Sequence, residues 1–110
     1  MSLKKISSSY EFKEIVKSEG KFFFLKNSTT CPISHEAFNQ TEAYSQENEG
    51  VPVFYLNVQE ARPLSNEISE EYGVKHESPQ ILLFEGEKVL WHDSHWNVTK
   101  KKLGEVWSTN

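Results

Sequence analysis

Apolar and polar positions alternate along this chain in two rhythms, one helical and one extended. Phe12, Ile15 and Val16 recur at helical spacing. Ser8 and Glu11 offer a capping box ahead of them, and Gly20 is expected to close this first helix as its C′ residue. Lys21 to Leu25 is a short aromatic run and predicts a buried strand. A polar turn, Asn27 to Thr30, leads to Cys31 and Pro32. Proline suits the first helical position, where an N–H would have no intrahelical partner. Ile33, Ala37, Phe38, Thr41 and Tyr44 form the inner stripe of a second helix reaching about Gln46. Val51 to Val58, rich in β-branched and aromatic residues, predicts a second strand. Pro63 opens a third helix with Leu64, Ile68 and Tyr72 on one face; Gly73 ends it, and Val74 is the hydrophobic residue expected after such a glycine. Ser78-Pro79 precedes a third strand, Gln80 to Phe84, which turns at Glu85-Gly86-Glu87 into a fourth, Lys88 to Trp91. A last helix from about Thr99 to Trp107 puts Leu103, Val106 and Trp107 inward.

The order is thus α-β-α-β-α-β-β-α. A strand–helix–strand unit around the second helix requires a parallel pair with a right-handed crossover, and the last two strands can only form an antiparallel hairpin. A four-stranded mixed α/β sheet flanked by helices follows, the thioredoxin-like architecture, as one domain over residues 1–110.

Composition narrows the function. With 12 basic and 16 acidic residues the net charge is −4, and no basic block marks a nucleic-acid surface. Lys100-Lys101-Lys102 reads as the solvated face of a helix. No run approaches the roughly 20 apolar residues of a membrane span. Lys4 and Lys5 have no apolar segment behind them, so a cytoplasmic location is expected. A single cysteine cannot form an internal disulfide, which suits a reducing compartment. His92 and His95 flank Asp93, a pattern expected of a surface loop rather than a metal site. Trp91, Trp96 and Trp107 are expected in the core.

The chemistry lies in the segment from Phe22 to His35. Strand, polar loop, Cys31 and a helix beginning at Pro32 put the sulfur at a helix N-terminus. Unpaired N–H groups and the positive end of the helix dipole favour an anion there, and the thiolate is the nucleophilic form of cysteine. A lone cysteine is often an inert core residue, but Ser28, Thr29, Thr30 and Ser34 suit an exposed helix start. Lys26 could add positive charge. Ser34 occupies the position where a second cysteine would resolve a mixed disulfide internally; serine cannot, so an external thiol must complete any cycle. Its hydroxyl could still donate to the Cys31 sulfur or be an ordinary first-turn serine. His35, next on, could act as acid, base or cationic neighbour, or face solvent. Ser78-Pro79, at the start of an apolar strand, is a place for a cis peptide that leaves the Ser78 backbone free to pair with an extended partner.

Tyr72-Gly73-Val74, Ser78-Pro79, Ile81 to Phe84 and Gly86-Glu87 resemble the C-terminal half of thioredoxins. Thr30 stands where thioredoxins carry a tryptophan, and their buried acid falls near Leu25, two departures that argue against ordinary thioredoxin reductase coupling. Thr30-Cys31-Pro32-Ile33-Ser34, together with Arg62 to Asn66 and Ser94-His95-Trp96, is more similar to the monothiol bacilliredoxins, over nearly the whole chain. That resemblance implies Cys31 as the nucleophile that removes the low-molecular-weight thiol bacillithiol from S-thiolated proteins. It implies Pro79 as a groove-shaping cis-proline, with Thr30, Pro32, Ile33, Ser34 and Ser78 against the substrate. It also implies bacillithiol as co-substrate, with no tightly bound cofactor, and a monomer is expected. Two other readings compete. A glutaredoxin-like iron–sulfur carrier usually has glycine and phenylalanine after its cysteine, where this chain has Pro32 and Ile33. A redox-inactive binding module would share the fold alone.

Overall fold

The Phe22–Phe24 run is the spine of the molecule. In the computed structural model, which describes residues 3–110, it lies in a central strand, β2 (Lys21–Asn27). Successive side chains of a strand point to opposite faces, so Phe22 and Phe24 enter one core while Phe23 and Leu25 enter the other. All four are fully buried.

Around β2 the sheet has five strands in the order β1-β3-β2-β4-β5, with β1 at Leu3–Lys5, β3 at Val53–Asn57, β4 at Gln80–Glu85 and β5 at Lys88–Ser94. The β1, β3 and β2 strands run parallel, β4 is antiparallel to β2, and β5 is antiparallel to β4. The expected four strands are therefore corrected to five. The added edge strand is only Leu-Lys-Lys, too short to carry a period, and it forms because β3 offers an unpaired edge. Its Leu3 and the following Ile6 are both buried.

Helices α1 (Ser9–Ser18) and α3 (Arg62–Tyr72) cover one face, with Phe12, Ile15, Leu64 and Ile68 packed on Phe22, Phe24, Leu82 and Phe84. Helices α2 (Pro32–Glu47) and α4 (Lys100–Thr109) cover the other, with Ala37, Tyr44, Leu103 and Val106 on Phe23, Leu25, Ile81 and Leu83. The capping box at Ser8 and Glu11 forms as expected. Gly73 is left-handed at the end of α3 (φ 65°), as only glycine accepts readily, and Gly86 does the same in the β4–β5 turn (φ 59°). Gly20 follows α1 without a left-handed φ; the Glu19 N–H bonds the Ile15 carbonyl and closes that helix instead. Trp91 and Trp107 pack at the margin of the second core, but Trp96 is 67% exposed, a correction to its expected burial. It sits on a 3-10 turn, His95–Asn97, whose short length leaves the indole no interior to enter.

Candidate active site

Topology collects the chemistry at one end of the sheet. The parallel strands β2 and β3 end there, β4 begins there, and β5 ends there, with Lys26 opposite Gln80 and Gln80 opposite Ser94. The loops that hold Cys31, Gln59, Ser78-Pro79 and His95-Trp96 therefore share one rim.

Cys31 is the N-cap residue of α2, extended at φ −104° and ψ 123°, and Pro32 opens the helix. The thiol is free and half-buried. Its pKa is drawn below the ordinary cysteine value, chiefly by the Ser34 backbone N–H. Partial desolvation opposes this, while the Ile33 N–H and the Ser34 hydroxyl reinforce it. No cap hydrogen bond of ordinary geometry closes on the sulfur, so the pull is electrostatic, from N–H groups that the first helical turn leaves unpaired. No acidic residue stands in that turn to oppose a thiolate.

Ser34 is fully buried, and its Oγ has no hydrogen-bond partner. A buried hydroxyl without a partner costs stability; its effect on the thiol is the least of those that lower the Cys31 pKa. Thr30 and Pro32 are exposed beside the sulfur, and Ile33 is half-buried. His35 is exposed, its backbone N–H bonded to the Cys31 carbonyl.

The Ser78–Pro79 peptide is cis. Pro79 is buried and Ser78 half-buried. The Pro79 carbonyl accepts the His95 N–H at 3.0 Å, and the His95 imidazole lies 3.4 Å from the Glu77 carboxylate. The β5–α4 turn thus braces the proline loop. His95 adopts φ 57°, sparsely populated for a residue with a Cβ. Asp93 is turned to the Ser94 N–H and the Asn97 amide. No group of three His, Cys, Asp or Glu side chains is placed to hold a metal ion among the described residues.

Lys26 does not serve the thiol. It lies on the other face of β2, fully buried, where its ammonium donates to the Ser65 carbonyl at 2.9 Å and the Ser69 hydroxyl at 2.8 Å. Desolvation, with no carboxylate against it, lowers its pKa to about 8. Ser65 also bonds His76 at 3.2 Å, and Gln80 donates to the Lys75 carbonyl, so this polar cluster ties α3 to the loop that presents Pro79. Burial, then the nearby Lys26 and Arg62 charges, hold the His76 pKa below its ordinary value.

Sequence reasoning missed Gln59. From the loop after β3 it donates to the Ser28 and Thr30 hydroxyls at 2.9 and 3.3 Å and accepts the Thr29 N–H at 3.1 Å. Three bonds from one side chain pin the loop that delivers Cys31. A glutamine distant in sequence gives no local sign of such a role.

Comparison with known proteins agrees with this geometry. A solved structure provisionally described as an oxidoreductase with a thioredoxin fold matches at 33% identity and TM-score 0.90, covering 96% of this chain and 94% of that one. Thioredoxin from Malassezia sympodialis (16% identity, TM-score 0.79, 98% and 92% covered) and mitochondrial thioredoxin 3 from Saccharomyces cerevisiae (15%, 0.78, 99% and 96%) share the fold. The family model for monothiol bacilliredoxin BrxC matches residues 4–103, a span that takes in the helix-start cysteine, the serine after it and the proline loop. A thioredoxin-like fold with one cysteine at a helix N-terminus and serine in the resolving position is what a monothiol member of such a family requires, and the chain belongs to the monothiol bacilliredoxin BrxC family.

Proposed function

We propose that this protein removes bacillithiol from S-bacillithiolated proteins by one-cysteine exchange. The observation that carries the reading is Cys31 at the start of α2, its thiolate favoured chiefly by backbone N–H groups of the first helical turn. Family membership supports a thiol-redox role, and the absence of a second cysteine supports the monothiol route.

The Cys31 thiolate attacks the bacillithiol sulfur of a protein–bacillithiol disulfide. One S–S bond forms as another breaks, and the target protein leaves as a thiolate that takes a proton from solvent. Since Ser34 cannot attack, the Cys31 adduct persists until the thiolate of a second low-molecular-weight thiol displaces it. That step frees Cys31 and yields a disulfide of the two small thiols. In this reading Ser78, before the cis Pro79, offers its backbone to the target polypeptide in extended form, with Thr30, Pro32 and Ile33 also against it. A cytoplasmic monomer with bacillithiol as co-substrate and no resident cofactor completes the reading.

Intact-mass measurement after incubation with oxidised bacillithiol, and separately with oxidised glutathione, tests it. One adduct at Cys31, formed faster with bacillithiol, is expected. Equal rates would remove the thiol preference, and no adduct with either would remove the exchange chemistry.

A further inference from the structure

The residue that grips the proline loop from the β5–α4 turn has an unusual backbone. His95 lies at φ 57°, in the left-handed region that residues with a Cβ rarely adopt. Strain of this kind persists only where the surroundings over-determine it. Two sets of contacts do so here. Behind His95, the Asp93 carboxylate accepts the Ser94 N–H at 2.8 Å and the Asn97 amide at 3.0 Å, which fixes the turn on both sides of it. In front, the His95 N–H reaches the Pro79 carbonyl at 3.0 Å, and its imidazole lies 3.4 Å from the Glu77 carboxylate. One residue thus holds both neighbours of Ser78. Ser78 itself is half-buried, and among the described residues neither its N–H nor its carbonyl takes a hydrogen-bond partner. Main-chain groups are obligatory hydrogen-bonders, so this donor and acceptor are left for a partner from outside the fold, solvent or polypeptide.

We infer that His95 is a positioning residue for polypeptide substrates: its left-handed backbone and its imidazole fix Pro79 and Glu77 so that the Ser78 N–H and carbonyl stay available to a partner strand in extended form. This rests on the exchange reading above. It adds the substrate class, polypeptide mixed disulfides over small ones, and the residue that sets the preference. A peptide strand can use both Ser78 groups at once, donor and acceptor, whereas a small disulfide has no strand to align with them. A pair of groups preset in geometry loses less freedom on binding than a pair free to turn, so the hold on Glu77 and Pro79 acts on affinity for the peptide. The chemical step is unchanged: the Cys31 thiolate forms one S–S bond with the bacillithiol sulfur, and the leaving sulfur departs as a thiolate that takes a proton from solvent. His95 acts through Ser78 and moves no proton or electron.

The test uses the full chain and two donors that leave the same Cys31–bacillithiol adduct: an unstructured peptide carrying one S-bacillithiolated cysteine, and bacillithiol disulfide. Intact mass gives the second-order rate constant with each, and the readout is the ratio of peptide to small donor. His95→Val, whose β-branched side chain disfavours a left-handed φ and lacks the imidazole, is expected to lower that ratio about fivefold, the worth of a single hydrogen bond. His95→Asn accepts a left-handed φ and keeps the N–H, and it is expected to restore at least half of the loss. Glu77→Ala leaves the His95 backbone alone; it is expected to lower the ratio about twofold, and it carries the test should His95→Val fail to fold. An unchanged ratio in His95→Val, or in Glu77→Ala where that variant stands in, overturns the inference and leaves the exchange chemistry standing. A parallel fall with both donors also overturns it, because the residue would then act on the thiol and not on the peptide. So does a loss in His95→Asn equal to that in His95→Val, because the left-handed backbone would then play no part. If the wild-type chain forms no adduct from either donor, the exchange reading itself falls, and the positioning role with it.

Discussion

Lys26 and Cys31 bracket one short loop, and both hold their protons less tightly than free side chains do, for opposite reasons. At Cys31 the charged form is favoured, because the opening turn of α2 aims N–H groups at the sulfur. At Lys26 the charged form is penalised, because burial beneath α3 removes water and supplies no anion. One shift stores reactivity at the surface, while the other is a cost that the fold carries to anchor α3 and the proline loop. The difference teaches that a lowered pKa marks chemistry only when its cause stabilises the reactive form.

The comparison breaks most completely at the sulfur. Cys31→Ser is expected to abolish adduct formation and thiol transfer, read by intact mass, with the unfolding midpoint little changed because the thiol is only half-buried. Next in size is Lys26→Ala, which opens a cavity under α3 and leaves the Ser65 and Ser69 oxygens without their donor. A loss of about 2–4 kcal/mol in urea unfolding is expected.

Lys26 also sets a pH dependence. Between about pH 8 and 10.5 the unfolded lysine keeps its proton while the folded one has lost it, so stability rises with pH across that window. Cys31 pushes in the same direction, since its folded pKa is also lowered, so the slope is best measured in the Cys31→Ser background. Above pH 10 the raised pKa values of Tyr44 and Tyr72 act the other way and lower stability. Lys26→Met should flatten the rise between pH 8 and 10.

Ser34→Ala separates the two regions with opposite signs. Removing a buried hydroxyl that has no hydrogen-bond partner should raise stability by about 0.5–1 kcal/mol. Losing the hydroxyl beside the thiol, the least of the influences that lower the Cys31 pKa, should raise that pKa slightly and slow alkylation at pH 7 by about twofold at most. A pH–rate profile of alkylation checks the second effect and denaturant unfolding the first. The smallest change is expected from Gln59→Ala, which frees the loop before Cys31 and should slow adduct formation about twofold, with stability within about 0.5 kcal/mol.

Much of this arrangement was legible along the chain. Capping at Ser8, the Pro32 helix start, the left-handed Gly73 and the aromatic β2 run each follow from local chemistry, which sequence carries directly. The site was legible as far as Cys31, Pro32, Ser34 and Ser78-Pro79, because their meaning lies in immediate neighbours. Lys26 was legible as a charge but not as a direction. The residue turns away from the thiol because strand alternation sends it, with Phe22 and Phe24, to the opposite face of β2 from Leu25.

By itself the sequence determined the order of the helices and four of the strands, the thiol at a helix start and the absence of a resolving cysteine, since each depends on contacts within a few residues. Tertiary structure alone decided the fifth strand, the burial of Lys26, the grip of Gln59 on the cysteine loop and the exposure of Trp96. Each of these joins residues far apart in the chain, and no period or cap along a segment encodes which distant group will arrive beside it.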